Sequence, residues 1–293
     1  MNCLKTCVLV ALVGVALGPA CSSAAESGGL AEKPSAAPRK SIRTRRAEGT
    51  PSALPSAARL NELRKKAARL SEPAEGAAPE PEGWSKSRYD PNRLLELFQP
   101  LRLRKGYVLR AYLFREHGNG NGVVWAMPED AEFPDPKDCP ILETHLLKAP
   151  KPSEALDDAM EAVEGDDSPW SYLAASLLRR ELREFGAAWH GCRWRTHFIL
   201  DGDPWKAGLP SGHGPDQDRP RSKAQQWKWH QSRPANWAPQ VKREGDRVTV
   251  TFYTYSALHP EGIYRHTDVY RAGKYRPRTE DQRIAEGPEG FLF

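Results

Sequence analysis

The strongest constraint in this sequence is a helix pattern that runs directly into a strand pattern, over residues 168–200. Ser168 can accept hydrogen bonds from first-turn amides, and Pro169 suits the first helical position, because the N–H that it lacks would have no partner there. The spacing of the apolar residues predicts one buried stripe along a long helix, which Gly191 would end. The stripe consists of Trp170, Leu173, Ala174, Leu177, Leu178, Leu182, Phe185 and Trp189.

Charged residues fill the gaps in this stripe, and the pattern assigns them to solvent: Arg179, Arg180, Glu181, Arg183 and Glu184. Residues 193–200 then alternate with a period of two, which predicts a strand with Arg193, Arg195 and His197 on one face. A helix that buries Trp and Phe side chains needs a sheet or a second helix to receive them. The strand that follows it is the nearest candidate.

Further strand patterns occur at 107–115, 123–127, 226–230, 247–256 and 263–271. The first two are expected to form a hairpin around the glycine-rich turn at 118–122. Residues 153–163 have the spacing of a short helix, and the residues from 276 onward are interpreted as a charged tail. The sequence therefore predicts an α+β fold: an antiparallel sheet of about five or six strands with one long amphipathic helix packed on it.

The N-terminus has the parts of an export signal. Lys5 supplies positive charge, residues 8–17 form an apolar run that is too short to span a bilayer, and small residues follow. The run that ends at Cys21 resembles the signal peptide of bacterial lipoproteins, although Gly18 stands where that family usually has Leu. The resemblance is confined to this leader.

The lipoprotein resemblance implies that residues 1–20 are removed and that Cys21 carries a lipid anchor. The protein would then be exported and held at a membrane of the cell envelope or periplasm. Cleavage after Ala20 or Ala25 without lipidation, which would give a free secreted protein, remains the alternative.

Residues 21–83 have the composition of a disordered tether, and residues 84–293 are predicted to form a single α+β domain. Residues 57–70 within the tether predict a short amphipathic helix, which would dock on the domain or lie on a membrane surface. The formal net charge of +5 comes from the tether, since residues 22–72 carry +6 and those from 73 onward carry −2. The folded part lacks the basic excess of a nucleic-acid-binding domain, so no nucleic acid is predicted as a partner.

Cysteine usage agrees with export. Cys3 and Cys7 belong to the leader, which leaves Cys139 and Cys192 in the folded part. In an oxidising compartment two such thiols often join, and the bond would contribute roughly 2–4 kcal/mol. We therefore expect a Cys139–Cys192 disulfide, with two separate buried thiols as the alternative.

The histidines fall in no metal-binding spacing. The nearest cluster is His190, Cys192 and His197, but Cys192 and His197 would point to opposite faces of the predicted strand. No metal or cofactor is predicted.

Polar side chains on two predicted strands form the candidate site. One strand would present Arg193, Arg195 and His197, and the other would present Tyr264, His266, Asp268 and Tyr270. On the same side of a curved sheet, these side chains would form a concave patch that could hold an anion or a sugar, with His197, His266 and Asp268 available for proton transfer. The alternative is an exposed sheet face with cross-strand pairs.

Three functions follow from these patterns. The first is a non-enzymatic envelope protein that binds an unknown protein partner or a small ligand. The second is an acid–base hydrolase that uses the His, Asp and Arg patch. The third is a glycan-binding module that uses Trp227 and Trp229, whose other expected function is core packing. An enzyme needs the polar groups in a cleft, whereas a glycan module needs exposed indole rings.

Overall fold

The computed structural model describes residues 54–72, 79–143, 148–206, 223–288 and Gly290. Cys21, the proposed lipidation site, lies outside these residues, as does the rest of the leader and most of the tether. Among the described helices, none is both long enough and apolar enough to cross a membrane. No three His, Cys, Asp or Glu side chains of the described part are arranged to hold a metal ion.

The α-helices are α1 (Ala57–Arg69), α2 (Arg93–Leu97) and α3 (Pro169–Arg183). Ser168 caps α3 as predicted, because its side chain accepts a hydrogen bond from the backbone N–H of Ser171. Helix α3 ends at Arg183, earlier than predicted, and the chain turns through Phe185 before a short 3-10 helix at Trp189–Gly191. Phe185 and Trp189, the last two residues of the predicted stripe, therefore lie beyond the helix.

The strands in chain order are β1 (Gly83–Lys86), β2 (Arg102–Leu103), β3 (Tyr107–Glu116), β4 (Asn119–Pro128), β5 (Ile141–Glu143), β6 (Lys148–Pro150), β7 (Val163–Glu164), β8 (His197–Leu200), β9 (Lys228–Trp229), β10 (Gln240–Glu244), β11 (Arg247–Ser256), β12 (Gly262–Arg271) and β13 (Arg278–Glu286). All pairings between them are antiparallel. The fold is α+β, as the sequence predicts.

Two larger sheets enclose the central helix. One has the order β1-β3-β4, and the other has the order β10-β11-β12-β13-β9, with β8 on the same edge of β11 as β10. Helix α3 contacts β4 of the first sheet and both β10 and β11 of the second. One buried apolar cluster joins α3 to Leu109 and Val124 on one side and to Val250 and Phe252 on the other. Because α3 lies between two sheets, it buries more than the one stripe that its sequence predicts.

Helix α1 is part of this core. Ala57, Leu60 and Ala67 are buried in the same apolar cluster as α3, and the side chain of Asn61 forms two hydrogen bonds with the backbone of Ile199 in β8. Of the two positions that the sequence leaves open for this helix, the structure places it on the domain.

The predicted hairpin is confirmed, but only the first of its three glycines, Gly118, lies in the turn. Strands β3 and β4 continue to a two-residue turn at His117 and Gly118, so that Gly120 and Gly122 lie within β4. A Cβ atom at Gly122 would collide with the carbonyl oxygen of Phe185. Gly122 therefore allows the chain that follows α3 to approach the strand closely.

Three other sequence predictions are wrong. Residues 153–163 form no α-helix but contain a 3-10 helix at Ala159–Ala162. The presumed charged tail contains β13, a full strand of the second sheet. Residues 193–196 do not belong to a strand, because Trp194–Thr196 form a 3-10 turn and β8 begins only at His197.

The expected disulfide is not formed: Cys139 and Cys192 are both free. The thiol of Cys139 is buried, 3.4 Å from the hydroxyl of Tyr112, and donates to the carbonyl oxygen of Asp135. Cys192 lies in the partly exposed turn after α3, where burial raises its pKa. The two thiols therefore have separate surroundings, as in the alternative interpretation.

Candidate functional site

The charged residues of α3 lie inside the protein. Arg180, Glu181 and Glu184 are all buried, whereas the sequence pattern assigned them to solvent. The guanidinium group of Arg180 donates to both carboxylate oxygens of Asp268, at 2.6 and 3.3 Å, and to Asp281 at 2.5 Å. Arg180 therefore joins the helix to β12 and β13 through two carboxylates.

A chain of hydrogen bonds extends from Asp281 across the second sheet. The carboxylate of Asp281 lies 2.7 Å from Nδ1 of His266, and Nε2 of His266 lies 2.7 Å from the hydroxyl of Thr254. The same hydroxyl lies 2.7 Å from Nδ1 of His197. The register explains the alignment, since Asp281 is directly opposite His266 and the side chains of the other members alternate onto the same face.

The direction of these hydrogen bonds follows from the charges. A carboxylate only accepts, so Nδ1 of His266 donates to Asp281, and in the neutral imidazole Nε2 then accepts from the Thr254 hydroxyl. The hydroxyl oxygen then accepts from Nδ1 of His197. With both imidazoles neutral, as their burial requires, both ring nitrogens of His266, the Thr254 hydroxyl and Nδ1 of His197 are all paired.

The pKa values agree with this assignment. Burial, and then the positive charges of neighbouring groups, lower the pKa of His197 well below its usual value of 6.5. Burial lowers the pKa of His266 to about 4, although Asp281 acts in the opposite direction. The hydrogen bond from His266 and the charge of Arg180 outweigh burial at Asp281 and hold its pKa well below the usual range. Burial raises the pKa of Glu184 to about 7.

These shifts predict opposite pH dependences for two variants. The unfolded chain binds a proton at position 266 below pH 6.5 and the folded protein only near pH 4, so His266 costs up to about 3 kcal/mol of stability as the pH falls through that window. Glu184 takes up its proton in the folded state first, so it adds stability as the pH falls from about 7 to 4.5. Acidification should therefore destabilise His266→Gln less steeply than wild type, and Glu184→Gln more steeply.

Urea unfolding at several pH values between 7 and 4.5 measures both slopes. Tyr253→Phe, which removes a hydroxyl that takes no part in the network, serves as the control. If the free energy of unfolding changes with pH equally steeply in His266→Gln and Glu184→Gln, the assigned protonation states are wrong.

A second buried cluster joins α1 to α3. Nε of Arg64 donates to Glu181 at 3.0 Å, and the same carboxylate oxygen accepts from the indole N–H of Trp194 at 2.8 Å. The guanidinium group of Arg64 also donates to the carbonyl oxygens of Trp194 and His197 and lies 3.8 Å from the centre of the Trp194 ring. Arg64 thus holds α1 to the turn that leads into β8.

Glu184 explains why this turn replaces the predicted strand. Its carboxylate accepts hydrogen bonds from the consecutive backbone N–H groups of Arg193, Trp194 and Arg195. Three consecutive donors can converge on one carboxylate only when the backbone is curved. The side chains of Arg193 and Arg195 therefore do not continue the face that His197 presents.

The predicted patch is only partly assembled. His197, Tyr264, His266 and Asp268 do lie on one face, with the rings of His197 and Tyr264 at 4.6 Å and those of His197 and His266 at 5.7 Å. Arg195 instead contacts Ser71 and Glu72 beyond α1. The sequence analysis missed Arg180, Thr254 and Asp281, and only the alternation of Thr254 with its neighbours in β11 could have indicated one of them.

The network is closed to ligands over most of its length. Thr254 and Asp268 have no exposed surface and His266 is 2% exposed, whereas the side chain of Asp281 is 39% exposed. The groups expected to transfer protons are therefore committed to each other. Their arrangement joins four strands to α3.

The tryptophan pair expected to bind a glycan is also packed. Trp227 is buried in an apolar cluster on the other face of the second sheet, and Trp229 is partly buried against it. Trp205 contacts both rings, with centroids 5.0 and 6.0 Å away, and Arg233 lies over Trp205 and Trp229. This arrangement corresponds to the core-packing interpretation.

A cleft of about 240 Å³ lies between β4 and the C-terminal half of α3. Its walls are residues 122–125 of β4 on one side and Arg179, Leu182 and Arg183 on the other. Met160 adds an apolar surface, and Leu142 stands at the rim with 42% of its surface exposed. The cleft thus combines an apolar interior with charged groups, as small-ligand sites do.

The charges in this cleft differ in how they are compensated. Asp158 pairs with Arg179 at 2.5 Å, and Asp157 pairs with Lys151. Glu143, at the rim of the cleft, forms no ion pair with the described residues. Among the described residues, Arg183 forms neither an ion pair nor a hydrogen bond, and burial together with the cations Arg179 and Arg180 lowers its pKa. An anion in the cleft would relieve this repulsion.

The comparisons with protein-family models, with curated proteins and with solved structures found no match to this chain.

Proposed function

We propose that the protein is an exported, non-enzymatic binding module whose ligand site is the cleft between β4 and α3. The observation that carries this proposal is Arg183, a cation without an ion pair among the described residues, in the wall of an apolar cleft. A ligand with an apolar body and one negative charge would satisfy both features.

The buried network supports a binding function over an acid–base hydrolase. A general base must reach the proton that it removes, directly or through one water. Here Thr254 and His266 bond to each other and are closed to solvent. This face of the second sheet is better explained as the support of α3, the helix that forms one wall of the cleft.

Export and anchoring rest on the N-terminal sequence. The apolar run before Cys21 is the basis for proposing a location in the cell envelope, with the anchor on Cys21 and residues 22–53 as a tether. The partner would then be another component of the envelope.

The binding proposal is tested by titrating the isotope-labelled protein with 3-phenylpropionate, an apolar carboxylate, and following its amide NMR signals. We expect shift changes at Gly122, Val123 and Arg183, and weaker changes with the uncharged 3-phenylpropionamide. Leu182→Trp, which would fill the cleft, should abolish the response. Shift changes confined to other surfaces would sink the proposal.

A further inference from the structure

Strand β4 is the edge of the first sheet, and its outer edge faces the cleft. The backbone N–H and C=O of Gly120 both bond to Ala188, and the C=O of Ala126 accepts from the N–H of Leu156. In an antiparallel pair, residues whose backbone groups point away from the partner strand recur at every second position. Gly122 and Val124 therefore direct their N–H and C=O groups outward as well.

These outward groups are left unpaired between two occupied ends. Among the described residues, neither Gly122 nor Val124 has a hydrogen-bond partner for its outward N–H or C=O, while the neighbouring positions Gly120 and Ala126 do. At about 3.3 Å per residue the gap between those positions spans roughly 20 Å, which is room for an extended segment of about four residues. An unpaired strand edge is a ready template for such a segment.

The opposite wall supplies the contacts that side chains of such a segment need. In an extended chain every second side chain points the same way, so two of them would enter the cleft together. Leu182 and Met160 offer an apolar surface for one, and Arg183 offers a positive charge for the other. The exposed side chain of Leu142 extends the apolar surface to the rim.

We propose that the cleft binds an extended peptide segment of a partner protein, which pairs with β4 and places an apolar and an acidic side chain, two residues apart, against Leu182 and Arg183. This inference rests on the proposed function of the cleft and names the class of its ligand. A small carboxylate would neutralise Arg183 but would leave the edge of β4 unpaired. Backbone pairing would supply affinity, and the two side chains would supply specificity.

The probe is the synthetic peptide acetyl-Val-Thr-Asp-Thr-amide, whose Val and Asp side chains share one face. Two further peptides carry backbone N-methyl groups, one on residues 1 and 3 and the other on residues 2 and 4. Strand pairing uses only alternate N–H groups of the incoming chain. Calorimetric titration of the full-length protein should show that one N-methylated peptide loses binding and that the other keeps it.

The charge contact is tested separately with Arg183→Gln. We expect this variant to bind the peptide about fivefold more weakly and to distinguish less between the Asp peptide and its Asn analogue, since an exposed ion pair is worth about 1 kcal/mol. Arg247→Gln removes an exposed cation on β11, away from the cleft, and should leave the affinity unchanged.

The outcomes separate this inference from the proposed function. If 3-phenylpropionate binds in the cleft but both N-methylated peptides bind like the parent, the cleft is a ligand site without strand pairing and the inference is wrong. If neither the carboxylate nor any peptide binds, both proposals fail. Loss of binding by only one of the two N-methylated peptides would support strand addition.

Discussion

Arg180→Met is expected to destabilise the protein by about 3–5 kcal/mol, because it leaves the buried carboxylate of Asp268 without its cation. Asp268 has no exposed surface, and the Arg180 guanidinium group is its ion-pair partner. Asp281 would lose the same group but would keep His266 and its contact with water. Urea unfolding at pH 7 measures the loss, and we expect a lower midpoint with little change in the slope.

Two further variants identify the cause of this loss. Arg243→Met removes the same side chain from an exposed pair with Asp167 and should cost no more than about 1 kcal/mol. Arg180→Met combined with Asp268→Leu removes both buried charges and should recover part of the stability that the single variant loses. If Arg180→Met costs as little as Arg243→Met, the buried network does not hold the sheet to α3.

The parts of the fold that the sequence predicts best are β11 and β12. Ten residues of regular alternation, bounded by turns at Gly245 and Gly273, identify each strand and place His266 and Asp268 on one face. Local periodicity is sufficient here because each strand has one face toward α3, so that buried and exposed side chains alternate along it. The fold class follows from the same patterns.

The partners of those residues could not be read in the same way. A charged residue in a helix pattern is ordinarily exposed, and Arg180 departs from that rule only because its helix lies between two sheets. Its carboxylate partners are 88 and 101 residues away in the chain. Strand β13 could not be recognised because three of its first four residues, Arg278, Glu280 and Asp281, are charged and exposed.

The cleft is a product of tertiary structure as well. It combines β4, the end of α3 and Met160, none of which has a local motif for binding. Gly122 belongs to the predicted turn, although in the structure it admits the chain that carries Phe185 against the strand. Close backbone approach and turn formation both favour glycine, so composition alone does not separate them.

Arg64→Met is expected to cost about 3–5 kcal/mol and to release α1 from the domain. The variant leaves Glu181 buried without its cation and removes the donors that satisfy the carbonyl oxygens of Trp194 and His197. Hydrogen exchange should therefore become faster in α1 and in residues 194–200, where both ends of these contacts lie. Lys66→Met, which changes an exposed residue two positions along the same helix, should leave exchange unchanged.

The result bears on where the folded domain begins. If α1 detaches and the remaining residues lose stability with it, the helix is a structural element of the domain. A protein that starts at residue 84 would then expose Glu181 and the Trp194 turn to water. If exchange rises in α1 alone, while residues 194–200 stay protected, the helix is an accessory to a domain that is stable without it. We expect the first outcome, because Leu60 and Ala67 are buried and detachment of α1 would expose their apolar surface to water.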